Sequence, residues 1–117
     1  MSLRANTPSQ FRTVMFEEAA LNWLEIKKLQ QRKPRTIEMY QWYIRNLSRK
    51  FAGILLSQIQ IKHIQEYQQR RKLSAGPSCV NHEINTLAQI LRQADLWRVM
   101  EKQYCPLPLP DWTPPKV

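Results

Sequence analysis

Apolar residues recur three and four positions apart along four stretches of the chain, a spacing that aligns side chains on one face of an α-helix. The first stretch predicts a helix from about Val14 to Gln31, with Thr13 as its N-cap. The second predicts a helix from Pro34 to Lys50, because proline suits the first helical turn, and Gly53 follows as a stop. Both segments are long enough to form stable amphipathic helices once they are packed.

The remaining stretches predict a third helix from about Ile61 to Lys72, with Leu56 and Ile59 packing just before it. A fourth helix is predicted to begin at Gly76–Pro77, and a short fifth helix from about Trp97 to Tyr104. No segment alternates for long with the period of two that marks a strand, so the sequence predicts no sheet.

Helices of this kind must bury their apolar faces against one another. We therefore predict an all-α fold, a single orthogonal bundle of four to five helices. The predicted core faces are formed by Phe16, Ala19, Ala20, Trp23 and Leu24; Ile37, Tyr40, Ile44, Leu47 and Phe51; Ile61, Ile64 and Tyr67; and Val80, Ile84, Leu87, Leu91 and Ala94.

The length of 117 residues suits one domain with one core. We expect residues 1–12 to be a flexible tail, residues 13–104 to form the helical domain, and residues 105–117 to be an extended linker. The linker prediction rests on a cluster of prolines, which cannot continue a helix: Pro106, Pro108, Pro110, Pro114 and Pro115.

The chain carries 18 Lys and Arg residues against nine Asp and Glu residues, a net charge of +9. So large a charge on a small domain favours a polyanionic partner, with DNA or RNA ahead of a membrane surface. No apolar run approaches the roughly 20 residues of a spanning helix, and the N-terminus lacks the apolar stretch of a signal peptide. We expect a cytoplasmic protein that does not use a membrane.

The basic residues are concentrated in two places. Eight lie between Lys27 and Lys50, with Glu38 the one acid among them, and a second group, Arg70 to Lys72, ends the third helix. A solvated face is the alternative explanation, but the cluster and the net charge together favour phosphate contacts with nucleic acid.

Reading of base edges requires other side chains. The outer face of the fourth helix carries Ser78, Asn81, His82 and Asn85, and asparagine can bridge adenine in the major groove. An ordinary solvated helix face is an equally good explanation of this pattern. Trp42 lies off the core face of the second helix.

Enzyme signatures are missing from the sequence: there is no glycine-rich phosphate loop, no G-x-S-x-G, no H-E-x-x-H and no paired-cysteine metal site. His63 and His82 are single residues, more typical of packing or surface positions than of catalysis. Cys79 and Cys105 lie far apart and suit free thiols in a reducing compartment. We predict no catalytic residue, no metal site and no cofactor.

The order of these segments from about Thr13 to Leu96 resembles the N-terminal, SAM-like core-binding domain of phage integrases, the tyrosine recombinases. The resemblance is carried by Phe16-x-x-Ala19-Ala20-x-x-Trp23-Leu24, by Arg35-Thr36-x-x-x-Tyr40-x-x-x-Ile44-x-x-Leu47, by Leu56-Ser57-x-Ile59-x-x-x-x-Ile64-x-x-Tyr67-x-x-Arg70, and by Cys79-Val80-Asn81-His82-Glu83-Ile84-x-x-Leu87-x-x-Ile90-Leu91-x-x-Ala94.

The resemblance implies a protein of bacterial or phage origin, with a domain that clamps one face of double-stranded DNA at a recombination core site, in DNA integration and site-specific recombination. It further implies a catalytic domain in the same parent chain, supplying an arginine, a His-x-x-Arg motif and a nucleophilic tyrosine, and neighbouring recombinase protomers as partners. Neither histidine of this sequence is followed three residues later by arginine. We therefore expect the chain to be an integrase fragment, or a truncated product, that is not itself an enzyme.

In the family, the starts of the second and fourth helices approach the DNA. The resemblance carries this role to Arg35 and Thr36, and to Cys79, Asn81 and His82, although Gly76 stands where the family often has a serine cap and Cys79 where it often has threonine. Together with the basic face, the candidate DNA-binding residues are Lys33, Arg35, Thr36, Tyr43, Arg45, Arg49, Ser78, Asn81, His82 and Asn85.

Two other functions fit the sequence. One is a helical protein-interaction module that uses Trp42, Trp97 and Trp112 as anchors. The other is an RNA-binding helical domain, which would stack exposed aromatic rings on single strands.

Overall fold

The computed structural model describes residues 14–30 and 32–108. The helices are α1 (Phe16–Leu29), α2 (Pro34–Phe51), a 3-10 turn (Leu56–Gln58), α3 (Ile61–Arg71), α4 (Pro77–Gln93) and α5 (Arg98–Glu101). The predicted all-α fold is confirmed. Within the described residues the extended backbone pairs at one isolated bridge, between Met15 and Leu55, which belongs to no strand.

Helix α1 begins at Phe16, with Met15 at its N-cap position. The predicted cap, Thr13, and the predicted tail, residues 1–12, lie outside the described residues. Glu17 in the first turn has a second role, because its carboxylate accepts the backbone N–H of Gly53 at 2.9 and 3.2 Å. This bond ties the start of α1 to the turn that ends α2.

Gly53 has a φ of +81°, in the left-handed region that favours glycine. The predicted stop after the second helix is therefore confirmed, and the helix runs one residue further than predicted, to Phe51. Helix α3 starts as predicted at Ile61, where the Nδ1 atom of His63 accepts the backbone N–H of Gln60 at 2.9 Å. His63 is thus a capping residue.

The core joins the inner faces of all five helices. It is formed by Phe16, Ala19, Ala20, Trp23, Leu24, Ile37, Leu47, Phe51, Leu56, Ile59, Ile64, Tyr67, Val80, Ile84, Leu87, Ala88, Ile90, Leu91, Ala94, Trp97 and Met100. Three predicted core residues, Tyr40, Ile44 and Ile61, pack against its edge and are only partly buried. Helix α2 instead buries Tyr43 and Asn46, which face α4.

The fifth helix is shorter than predicted, covering Arg98–Glu101. Beyond it the chain has no regular secondary structure as far as Pro108, where the described residues end. Two side chains hold this segment: the Gln68 amide donates to the Cys105 carbonyl at 2.9 Å, and the Asn81 amide pairs with the backbone of Leu107.

Candidate nucleic-acid interface

The predicted DNA-binding residues fall into three classes of exposure. Seven are exposed, namely Lys33, Arg35, Arg45, Arg49, Ser78, His82 and Asn85, while Thr36 and Asn81 are partly buried and Tyr43 is buried. They lie on or next to only two helices, α2 and α4. These helices are neighbours, since Tyr43 in the second half of α2 stacks on His82 in the first half of α4, with ring centroids 6.1 Å apart.

Four cations on or next to α2 are free of acidic partners among the described residues. Lys33, Arg35, Arg45 and Arg49 form no ion pair with any described residue. Arg35 and Arg49 are 14 residues apart on one helix, a separation of about 21 Å at 1.5 Å per residue. Positive charge therefore lies along the whole length of α2.

The first turn of α4, which packs against α2, offers backbone donors. Gly76 occupies the N-cap position and supplies no side chain to the turn, and Pro77 has no N–H. The N–H groups of Ser78 and Cys79 have no carbonyl four residues back within the helix to accept them. Such an end attracts anions, because its donors and the helix dipole act together.

Four side chains form a continuous row from α3 across α2 to α4. The Arg71 guanidinium lies 5.8 Å from the ring centroid of Trp42, Trp42 meets Tyr43 edge to face at 5.8 Å, and Tyr43 stacks on His82. Trp42 is 45 % exposed. The row places an exposed indole and an imidazole within the basic face.

Two candidates are engaged inside the protein. Both polar atoms of the Asn81 amide are paired, because Nδ2 donates to the Leu107 carbonyl at 3.0 Å and Oδ1 accepts the Leu107 N–H at 2.9 Å. Tyr43 is only 7 % exposed, and this burial raises the pKa of its phenol. The Asn81 amide offers no free polar edge to a base and the Tyr43 ring is buried, so neither belongs to the surface proposed below.

Sequence reasoning missed the group that organises this region, the carboxylate of Glu83. It is fully buried and accepts hydrogen bonds from Asn46 at 2.9 Å, from Tyr67 at 2.5 Å and from Arg71 at 2.9 to 3.3 Å. A signal was present, because Glu83 follows Val80 by three positions and precedes Leu87 by four, on the apolar face of α4. An acid at such a position must find partners in the interior.

An open cleft of about 170 Å³ lies beside this network. It lies between the C-terminal ends of α2 and α3. Its lining residues are Asn46, Arg49, Lys50, Tyr67, Arg70, Arg71 and Ser74.

Residues 15–71 match the family model described as phage integrase, N-terminal SAM-like domain. This segment of the chain is therefore similar to that domain. The predicted resemblance is confirmed over α1 to α3, whereas α4 lies beyond the matched segment. The matching model describes the SAM-like domain and not a catalytic one. Neither the curated proteins nor the solved structures contain a match to the chain.

Several other predictions can be compared with the described residues. Trp97 is 4 % exposed and packs in the core, so it is wrong as an anchor for a partner protein, and Trp112 lies outside the described residues. Cys79 and Cys105 are free thiols. No described helix is long and apolar enough to cross a bilayer. Within residues 14–30 and 32–108, no three His, Cys, Asp or Glu side chains gather as a metal site would require.

Proposed function

We propose that this chain is the DNA-binding, core-site recognition domain of a tyrosine-recombinase-type integrase, acting in DNA integration and site-specific recombination. One observation carries the proposal: Arg35, Arg45 and Arg49 of α2, within a segment similar to the SAM-like domain of phage integrases, have no acidic partner among the described residues. Cations without acidic partners repel one another along the helix, and a bound polyanion relieves this repulsion.

In this proposal α2 lies along the backbone of duplex DNA. Arg35 and Arg45 neutralise phosphates and release counterions, which gives affinity without choice of sequence. The separation of about 21 Å between Arg35 and Arg49 equals about six base steps of 3.4 Å. Thr36 and Lys33 add contacts at the start of the helix.

Choice of sequence falls to the first half of α4. Ser78, His82 and Asn85 are exposed on it at helical spacing, and the Asn85 amide is suited to an adenine edge. The N–H groups of Ser78 and Cys79 suit a phosphate at the groove edge. Because α4 lies beside α2, phosphate contact through α2 sets the register at which α4 meets the bases.

The proposal assigns no chemistry to the residues of this chain. Strand cleavage would belong to a catalytic domain of the same parent protein, with neighbouring recombinase protomers as further partners, in a bacterial cytoplasm. The function of this domain is then to bring that chemistry to the correct site.

The test is a fluorescence-anisotropy titration of labelled duplex DNA between 50 and 200 mM salt. The slope of log K against log salt is negative, and its magnitude is meant throughout. Replacing Arg35 and Arg45 by glutamine should lower this magnitude by about 1.8, since each phosphate contact contributes about 0.9. The matched control is R98Q/K102Q, which removes two exposed charges at α5. It should leave the slope unchanged.

Three results would contradict the proposal. No binding of duplex DNA at 50 mM salt would remove its basis. Tighter binding of single-stranded RNA than of duplex DNA would favour the RNA-binding alternative. Concentration-dependent self-association through Trp42, with no response to DNA, would favour the protein-interaction alternative.

A further inference from the structure

The cleft between the ends of α2 and α3 has an unusual charge balance. Four of its lining residues are cations, Arg49, Lys50, Arg70 and Arg71, and none is an acid. A cleft of about 170 Å³ has room for a phosphate group.

Two of these cations are already neutralised. Lys50 pairs with Glu66 at 3.1 Å, and Arg71 pairs with the buried Glu83 at 2.9 Å. Arg49 and Arg70 have no such partner among the described residues, although they project from different helices into one cleft. The local excess is therefore two positive charges.

Helix dipoles account for only part of this excess. Cations commonly occupy the last turn of a helix, where the dipole is equivalent to about −0.5 charge. Two helices end here, so their dipoles balance about one of the two charges. About one positive charge remains, which matches the single negative charge of a phosphodiester.

Two buried side chains line the inner wall of the cleft. Asn46 and Tyr67 are both nine-tenths buried or more and are held by Glu83. Asn46 donates an amide hydrogen to Glu83 at 2.9 Å. Arg71 is fixed by Glu83 on one side and by Ser74 at 3.1 Å on the other.

We propose that this cleft seats one backbone phosphate of bound duplex DNA, gripped jointly by Arg49 from α2 and Arg70 from α3. The inference rests on the proposed function and adds α3 to the DNA-binding surface. Because both arginines contact the same phosphate, replacing the two of them should remove one phosphate contact and not two.

The test compares R49Q, R70Q and the double variant in the same salt titration, with the fold checked by circular dichroism. One shared phosphate predicts that the double variant lowers the slope by about 0.9, so that the ratio of affinities at 50 and 200 mM salt falls about 3.5-fold. Each single variant should lower the slope by less, since the other arginine still neutralises the phosphate. R98Q/K102Q is again the charge-matched control.

Nuclear magnetic resonance separates the two sources of phosphate. The Nε–Hε signals of Arg49 and Arg70 should shift together on addition of duplex DNA. Inorganic phosphate at the same concentration should shift them less. A larger shift with inorganic phosphate would overturn the assignment to a nucleic-acid backbone.

Other results would also overturn the inference. A slope lowered by about 1.8 in the double variant would mean two separate phosphates and no shared seat. The slope could also be unchanged in the R49Q/R70Q double variant while R35Q/R45Q still lowers it. That result would show that the cleft binds no phosphate of the DNA, and it would leave the proposed function unaffected. No duplex binding by the unmodified chain would overturn both.

Discussion

Arg71 and Glu83 form a two-pronged ion pair between α3 and α4, with Nε 3.0 Å from Oε1 and Nη2 2.9 Å from Oε2. The Glu83 side chain is fully buried and that of Arg71 is 18 % exposed. Hydrogen bonding to Glu83 raises the pKa of the Arg71 guanidinium, which stays charged. Because Arg71 also lies over Trp42, this pair couples the interior of the bundle to the proposed DNA-binding face.

Replacing Glu83 by glutamine should destabilise the domain strongly. The amide keeps the shape but removes the negative charge that compensates the largely buried Arg71. Breaking a buried pair in this way typically costs about 3–5 kcal/mol, and we expect the lower end because Arg71 keeps some contact with solvent. Urea denaturation measures the change.

The control for this experiment is Glu66→Gln, which breaks the ion pair with Lys50 at the surface. Pairs of this exposure contribute little to stability, so the control should change the urea midpoint far less than Glu83→Gln does. Equal effects of the two substitutions would contradict the structural role of Glu83.

The stability of the domain should fall at alkaline pH through Tyr67. Burial, followed by the hydrogen bond to Glu83, raises the pKa of this phenol above its ordinary value of 10.0. A pKa raised in the folded state favours the neutral form, so the stabilisation is complete below about pH 10 and is lost as the pH rises further. The expected slope is about 1.4 kcal/mol per pH unit for the one proton involved.

Urea midpoints measured from pH 9 to 12 test this prediction, with Tyr67→Phe as the comparison. The variant should be less stable at pH 8, because Glu83 loses a hydrogen bond, but its stability should depend less steeply on pH. Identical slopes for the two proteins would rule out Tyr67 as the source.

The sequence predicted helix positions well where the residue itself restricts the backbone. The starts of α2 and α4 at Pro34 and Pro77 and the turn at Gly53 were all located, because proline fixes φ and glycine admits a positive φ. Periodicity likewise identified most of the core, since it depends only on neighbours three and four positions away.

Contacts across the fold were beyond such reasoning. The Arg71, Tyr67 and Asn46 donors to Glu83 lie 12, 16 and 37 positions away in sequence, on two other helices, and no local pattern records them. The same limit explains Tyr43, whose burial follows from how α2 is rotated towards α4. It also explains Asn81, which has the spacing of an outer-face residue but whose amide binds the backbone of Leu107, 26 positions later.

Replacing Asn81 by alanine should release the segment around Leu107. Two hydrogen bonds hold that backbone, at 2.9 and 3.0 Å, and both are lost with the amide. The Leu107 N–H should then exchange with solvent at least about tenfold faster in hydrogen-exchange experiments, as local opening becomes easier. Asn85→Ala, at an exposed position of the same helix, is the control and should leave this exchange rate unchanged.

The two variants should respond to DNA in the opposite order. Because the Asn81 amide is engaged by Leu107, Asn81→Ala should bind duplex DNA nearly as well as the unmodified chain. Asn85→Ala should bind more weakly, since its amide is free to reach a base. If Asn81→Ala lost more DNA affinity than Asn85→Ala, Asn81 would have to be counted among the DNA-binding residues.

Replacing Gly53 by alanine should destabilise the domain by about 1–2 kcal/mol, because a β-carbon disfavours the left-handed conformation at this position. Steric crowding is not the cause, since a β-carbon on Gly53 would meet no heavy atom within 4 Å. The bond from its N–H to Glu17 remains in the variant, which isolates the conformational cost. Gly76→Ala is the comparison, at a φ of −69° with equally open space. It should cost less than half as much, through weaker N-capping alone. Equal losses at the two positions in thermal or urea unfolding would show that the φ of +81° at Gly53 carries no stability.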